Sequence, residues 1–257
     1  MKKKVALICI AKNEGLYLQE WIDYHLKLGF DDIHIFQNDW RWGNYTEHEQ
    51  VYRHEYDGKT YESNEPLHVR NVQARCYNDF CRNYHEQYEW VATFDVDEFL
   101  VLKQTNDVKE FITRYDAHNN VVIDWVTFGD SNINTFDENN TSVVNRFTMR
   151  RAKPDNQFKS FCKLGPNVNH EIHMTQGPWV TTEFIESMGP YNYNPSTAVA
   201  QLNHYFTKTY PEFLQKVERG NACGRGEDGK RAVSDFTENN YNQVEDTHAK
   251  DFFNKKD

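Results

Sequence analysis

Val5 through Ile10 is an unbroken apolar run rich in branched side chains, the pattern of a strand buried on both faces of a parallel sheet. After Ala11-Lys12-Asn13-Glu14-Gly15 the period changes. Leu16, Leu18, Trp21, Ile22, His25, Leu26 and Leu28 recur three and four apart, which predicts an amphipathic helix that stops at Gly29. A second strand, Asp32 to Phe36, runs into Gln37-Asn38-Asp39. Strand, helix and strand with short joins make a βαβ unit, so both strand ends reach one edge of the sheet, the edge where such sheets bind ligands. Further on, the pattern predicts helices over 69–85, 108–115 and 210–219, strands over 90–94 and 121–128, and weaker strands and turns after Gly129. Residues 40–65 are polar, aromatic and weakly periodic, which reads as a long loop or small insertion beside the ligand edge. The expected organisation is one α/β domain over residues 1–220, with a mostly parallel central sheet flanked by helices. A mobile Gly-rich and charged loop and a polar C-terminal tail follow over 221–257.

Composition narrows the class of function. A formal net charge of −10 in 257 residues argues against a bulk grip on nucleic acid or anionic lipid, so any phosphate must be held locally, by a metal or a few cations. Aromatic residues make up 15%, enough to pack the core and to line a cleft for sugars or bases. Met1 to Ile10 has the charge and apolarity of a short leader, but Lys12-Asn13-Glu14 interrupts it. No segment approaches the roughly 18 apolar residues that span a bilayer. Cys9, Cys76, Cys81, Cys162 and Cys223 are odd in number and have no CxxC spacing, which reads as reduced thiols in a cytoplasmic protein.

The chemistry concentrates at Asp95-Val96-Asp97-Glu98, directly after the strand 90–94. Strand alternation would put Asp95 and Asp97 on one face and Val96 and Glu98 on the other. Two neighbouring carboxylates repel, and in a cleft one protonates unless a cation compensates. A divalent ion held by oxygen ligands removes that conflict and can bridge a diphosphate. A solvated acidic turn is the plainer alternative.

At this point the chain resembles a known family. Lys12-Asn13-Glu14, the helix residues Glu20 to Phe30, Ile35-Phe36-Gln37-Asn38-Asp39 and Trp90 to Phe99 (WVATFDVDEF) look like glycosyltransferase family 92 and its bacterial family 2-like relatives. The likeness continues in Trp125 to Gly129, in Asn203-His204-Tyr205 with Lys208, and in Lys216 through Gly220. It implies a GT-A (Rossmann-like) fold whose DxD motif binds Mn2+ or Mg2+ and the diphosphate of a nucleotide sugar, by resemblance a UDP-hexose. The metal set implied is Asp95, Asp97 and His204, with His173 the competing histidine. Asn13 and Glu14 would contact the nucleoside, unless they only cap the first helix. Asn38 and Asp39 would help form the base pocket, and Gln73 and Asn78 match polar positions of the helix before the DxD strand. Lys208 and Arg219 would hold the leaving diphosphate. Trp40, Trp42, Tyr191 and Tyr193 could stack on acceptor sugars or simply pack under loops. Inversion at the anomeric carbon is expected, with Asp130 as general base and Glu171 and Glu183 as alternatives.

Two other classes compete. A metal-dependent nucleotidyltransferase also carries acids at strand ends, but it wants a Gly-rich or Lys-bearing phosphate loop, and Ala11 to Gly15 holds one glycine. A non-catalytic carbohydrate-binding or calcium-binding module is allowed by the aromatic content, although no D-x-[DN]-x-[DN]-G loop is present. The expected partners are a nucleotide sugar and a glycan or glycolipid acceptor, with peripheral membrane contact if the acceptor is carrier-lipid linked, and no nucleic acid.

Overall fold

The structure is a computed structural model that describes residues 2–38, 45–60, 64–220 and 231–256. Its framework is β1 (Lys3–Ala11), α1 (Gly15–Lys27), β2 (Asp32–Gln37), β3 (Val51–Glu55), α2 (Leu67–Arg70), α3 (Val72–Tyr84), β4 (Tyr88–Thr93), β5 (Glu98–Leu102), α4 (Val108–Thr113) and β6 (Asn120–Thr127). It continues through α5 (Val143–Arg146), β7 (Met149–Arg150), β8 (Phe158–Lys163), β9 (Trp179–Thr181), β10 (Glu186–Ser187), β11 (Ala200–His204) and α6 (Tyr210–Arg219). The chain ends in α7 (Ser234–Asn239), β12 (Val244–Glu245) and α8 (His248–Asn254).

Among the described residues ten strands form one sheet in the order β10-β9-β6-β8-β4-β1-β2-β3, with β11 pairing β6 and β5 pairing β11 off that path. The β4-β1-β2-β3 half is parallel, as the apolar run of β1 requires, since Val5 to Cys9 are completely buried. The other half is mixed. β8 runs antiparallel between β4 and β6, and β11 is parallel to β6 but antiparallel to β5. The α/β layering expected from the sequence is therefore present, in a sheet with five parallel strand pairings and four antiparallel ones.

Two boundaries differ from the sequence reading. β3 lies inside the segment read as loop and adds to the edge of the sheet parallel to β2. Its side chains are exposed or half-buried, so it carries no apolar alternation to announce it. The C-terminal segment is no appended tail either: residues 231–256 are built into the domain, while 221–230 lie outside the described residues. β12 pairs with β7, buried Asp246 holds Arg150 at 2.7 Å, and Phe252 and Phe253 pack on the core. The chain at Tyr241 passes so close to Gly129 that a Cβ there would lie 2.5 Å from the Tyr241 carbonyl oxygen, a contact only glycine tolerates.

α1 fixes the position of the acid-bearing turn. Tyr17, Leu18, Trp21, Ile22, Tyr24 and His25 form its buried stripe, and Gly29 ends it with φ +93°. From that stripe Trp21 Nε1 donates to the Glu98 carbonyl at 2.9 Å and Tyr24 Oη to the Leu100 carbonyl at 2.8 Å, so the helix grips β5 by its backbone.

Candidate active site

Asp95 and Asp97 sit in the turn between β4 and β5, not on a strand, and Glu98 opens β5. The Glu98 N–H donates to the Asp95 carbonyl at 2.9 Å, and the Asp95 N–H is accepted by Glu98 Oε2 at 2.9 Å. This turn corrects the alternation argument: Asp97 is buried and Asp95 keeps 34% of its side chain exposed, while Glu98 is fully buried at the start of β5. Each carboxylate has its own support. Asp95 accepts from Gln73 Nε2 of α3 at 2.7 Å and from Lys159 Nζ of β8 at 3.1 Å. Lys159 is fully buried and stands 3.8 Å from Glu98. Burial alone would lower Lys159, but Asp95 and Glu98 raise it and keep it cationic. Burial pushes Glu98 well up, against the pull of Lys159.

Asp97 meets two groups from the C-terminal half. β11 lies between β5 and β6, with His204 opposite Glu98 on one side and Thr127 on the other, and the Tyr205 N–H donates to the Asp97 carbonyl at 2.9 Å. This pairing brings His204 Nε2 to 3.8 Å from Asp97 Oδ2. Lys216 of α6 places its ammonium directly on the same oxygen. Burial would raise the Asp97 carboxyl, but Lys216, His204 and Lys208 outweigh it and hold it well below the usual range. Burial pulls Lys216 down to about 7, and the Asp97 carboxylate opposes that fall. Burial lowers His204 to about 3 and His173 to about 4, so both imidazoles are neutral near pH 7, the form that binds metals.

Beside this cluster opens a cavity of about 750 Å³ lined by Asn13, Glu14, Tyr17, Lys208, Glu212, Lys216 and Arg219, among others. Its floor is built by local sequence. Thr209 and Glu212 form a capping box at the start of α6, and one helical turn later the same face carries Lys216. Glu212 also takes a two-pronged contact from Arg146 at 2.8 and 2.9 Å and accepts from Tyr17 Oη at 2.8 Å. Burial opposes ionisation of Glu212, but Arg146 and Thr209 bring it down to about 2. Lys208, with φ +52° and 5% exposure, lies over the Tyr17 ring at 4.4 Å. It has no hydrogen-bond or ion-pair partner among the described residues. Glu14 makes no side-chain cap on α1 and instead contacts Arg219, which also donates to the Lys12 carbonyl at 3.3 Å. Asn13 stands at φ +53° on the cavity rim.

The structure therefore gathers Asp95, Asp97, Gln73 and His204 in one place, and Asn13, Glu14, Lys208 and Arg219 around the adjoining cavity. Others lie elsewhere or are already committed. Asn38 Nδ2 donates to the Tyr56 and Gly58 carbonyls at 2.8 and 3.0 Å, tying the strand end to the β3 loop. The amide of Asn78 is spent on Ala74 and on both backbone groups of His170, so it staples the 170 region to α3. Asp130 caps a turn: its oxygens accept from Asn132 N, Asn242 Nδ2 and Asn240 Nδ2 at 2.8 to 2.9 Å, which leaves its carboxylate bound to the C-terminal segment rather than offered to an acceptor. His173 is joined to His204 through Trp125, whose ring is 5.2 Å from the first and 4.4 Å from the second. Tyr191 and Tyr193 are exposed. Asp39, Trp40 and Trp42 lie outside the described residues.

Lys159, Arg146 and Glu212 were not singled out from the sequence, and Lys216 entered only as part of a matched stretch. The Thr209-Glu212 spacing and Pro211 in the first turn are the local signals that α6 begins where it does.

The donor set suits a divalent ion in kind, since it combines two carboxylates with a neutral imidazole. Among the described residues, however, no three acids, histidines or cysteines are gathered as a metal-holding group, and Lys159 and Lys216 stand against the two aspartates. No helix among the described residues is long and apolar enough to cross a membrane.

A glycosyltransferase family 92 protein of Arabidopsis thaliana is 25% identical over 85% of this chain, and one of Ricinus communis is 22% identical over 84%. The matched region is 38% of each relative's length. The solved structure of the mannosyltransferase Ktr4p from S. cerevisiae overlaps 51% of this chain and 41% of its own, at 13% identity and a TM-score of 0.28. The family model for glycosyltransferase family 92 matches residues 6–248, so it takes in the acid turn, β11, α6 and β12 alike, and the chain belongs to that family.

Proposed function

We propose that this chain transfers a hexose from a nucleotide sugar, with UDP as the nucleotide, to a glycan hydroxyl with inversion at the anomeric carbon. The observation that carries the reading is the meeting of Asp97 and His204 with Lys216, which itself lines a cavity together with Lys208 and Arg219. Lys208, near enough to Asp97 to lower its carboxyl, has no direct hydrogen-bond or ion-pair partner among the described residues, and a bound diphosphate would supply one. As sugar transfer proceeds, negative charge grows on the departing diphosphate, and preorganised cations at that spot lower the barrier. Asp95, Asp97 and His204 would hold a divalent ion, Mn2+ by preference, and that ion supplies charge neutralisation for the diphosphate when bound. Gln73 and Lys159 keep Asp95 oriented, and α1 keeps the turn itself in place. A nucleoside would then lie toward Asn13 and Glu14 on the cavity rim. The reading makes the protein a GT-A enzyme acting on a glycan or glycolipid acceptor.

The test is incubation with a panel of nucleotide sugars and Mn2+, reading slow hydrolysis to free nucleoside diphosphate. Release from a UDP-sugar, lost on chelation, is expected. Absence of release with every donor, together with pyrophosphate formation from a nucleoside triphosphate, would move the assignment to a nucleotidyltransferase.

A further inference from the structure

We infer that Lys216 is an internal counter-ion that contests Asp97 Oδ2 with the divalent ion, and so makes metal binding depend on the nucleotide diphosphate. The inference rests on the metal-dependent reading above. Its ground is that one oxygen has two claimants: the Lys216 ammonium sits on Asp97 Oδ2, and His204 Nε2, the candidate co-ligand, faces the same atom at 3.8 Å. Lys216 is 7% exposed and is seated further by the Phe206 carbonyl at 3.0 Å and the Phe206 ring at 4.3 Å. It is therefore a built feature of the fold and not a surface side chain that happens to reach an acid.

Small divalent ions such as Zn2+ and Mg2+ bond an oxygen ligand at roughly 2.0–2.2 Å. With an ammonium against the same oxygen, the two cations stand within a few ångströms in a poorly solvated site, where like charges repel strongly. Metal entering alone must take Asp97 from Lys216, whose side chain then either keeps a buried charge with no direct anion or gives up its proton, and either outcome costs binding free energy. A diphosphate in the adjoining cavity supplies the missing anion, because Lys216 lines that cavity together with Lys208 and Arg219. Metal and diphosphate thus favour each other's binding, and by linkage the favour is equal in both directions.

The experiment follows free aqueous Mn2+ by its EPR signal, with and without saturating UDP, in the wild type and in Lys216→Met. In the wild type, UDP is expected to tighten Mn2+ binding by about 5- to 150-fold, the usual span of such coupling. Lys216→Met should bind Mn2+ alone about tenfold or more tighter than the wild type, and the gain from UDP should shrink to a few-fold. Lys216→Gln, which keeps a polar side chain but no charge, should shift the same way. If Lys216→Met is unfolded without metal, its thermal unfolding is titrated with Mn2+, and recovery at Mn2+ concentrations below the wild-type dissociation constant supports the inference. Mn2+ binding no tighter in both variants than in the wild type, or an undiminished UDP effect, overturns it while leaving the metal reading intact. A wild type that takes up no Mn2+ even with UDP overturns both.

Discussion

Replacing Lys208 with methionine removes a charge while keeping an unbranched stem of similar length over the Tyr17 ring. The native side chain is 5% exposed, has no ion-pair partner among the described residues, and approaches the Tyr17 ring at 4.4 Å. Both residues meet the same backbone strain at φ +52°, so the substitution leaves that contribution unchanged. Two effects on the unliganded protein oppose each other. The cation–π contact is lost, at about 0.5–2 kcal/mol, and the cost of carrying a charge on a largely buried side chain is relieved. The melting temperature without ligand should therefore stay within a few degrees of the wild type. Binding has no such compensation. A hydrogen bond to a charged group contributes about 1.5–3 kcal/mol, which corresponds to roughly a 10- to 150-fold weaker UDP dissociation constant. Calorimetry with UDP at saturating Mn2+ measures it, and the UDP-dependent rise in melting temperature should shrink in parallel. UDP affinity equal to the wild type would refute the argument that the cavity exists to receive a diphosphate at Lys208.

Three further outcomes follow from the same geometry. Asp97→Asn should cost about 3–5 kcal/mol of stability by stranding Lys216, and Asp97→Asn combined with Lys216→Met should recover most of it in chemical denaturation without restoring Mn2+ binding. Asp130→Asn should lower stability by about 1–3 kcal/mol, because the Asn240 and Asn242 amides lose a charged acceptor, and leave UDP affinity intact; transfer reduced by roughly 100-fold or more at unchanged stability would instead make Asp130 the general base. Glu212, which Arg146 and Thr209 hold near 2 against burial, is depressed below its usual value of 4.5. Its contribution is therefore complete above about pH 4.5 and lost as pH falls toward 2, so the stability advantage of the wild type over Glu212→Gln in urea unfolding should narrow between pH 5 and pH 3. An advantage that stays constant over that interval would contradict the assigned ion pair.

The elements that were legible in the sequence are those whose burial is periodic. β1 is apolar throughout because both its faces are covered, and α1 shows a stripe because one face is. β3 escaped notice because an edge strand with exposed side chains need not alternate, its pairing being carried by backbone groups common to every residue. The C-terminal segment escaped for a related reason. It is held by polar groups, the Asn240 and Asn242 amides on Asp130 and the Arg150–Asp246 pair, and polarity in a sequence does not distinguish a solvated tail from one locked by hydrogen bonds.

The site divides along the same line. Asp95 and Asp97 stand out because two acids directly after an apolar strand are a local anomaly, visible within four residues. The groups that govern those acids come from other strands and helices: Lys159 is 64 residues from Asp95, and Lys216 is 119 residues from Asp97. No spacing rule links them, since the separation is set by the path of the chain through β8, β11 and α6 rather than by any local period. A buried lysine in a helix reads the same as a solvated one until its acid partner is placed. That is why Asp130, an acid next to the conspicuous Phe128-Gly129 pair, drew the role of base, whereas Lys216, in an unremarked turn of α6, stands on the oxygen that a metal would need.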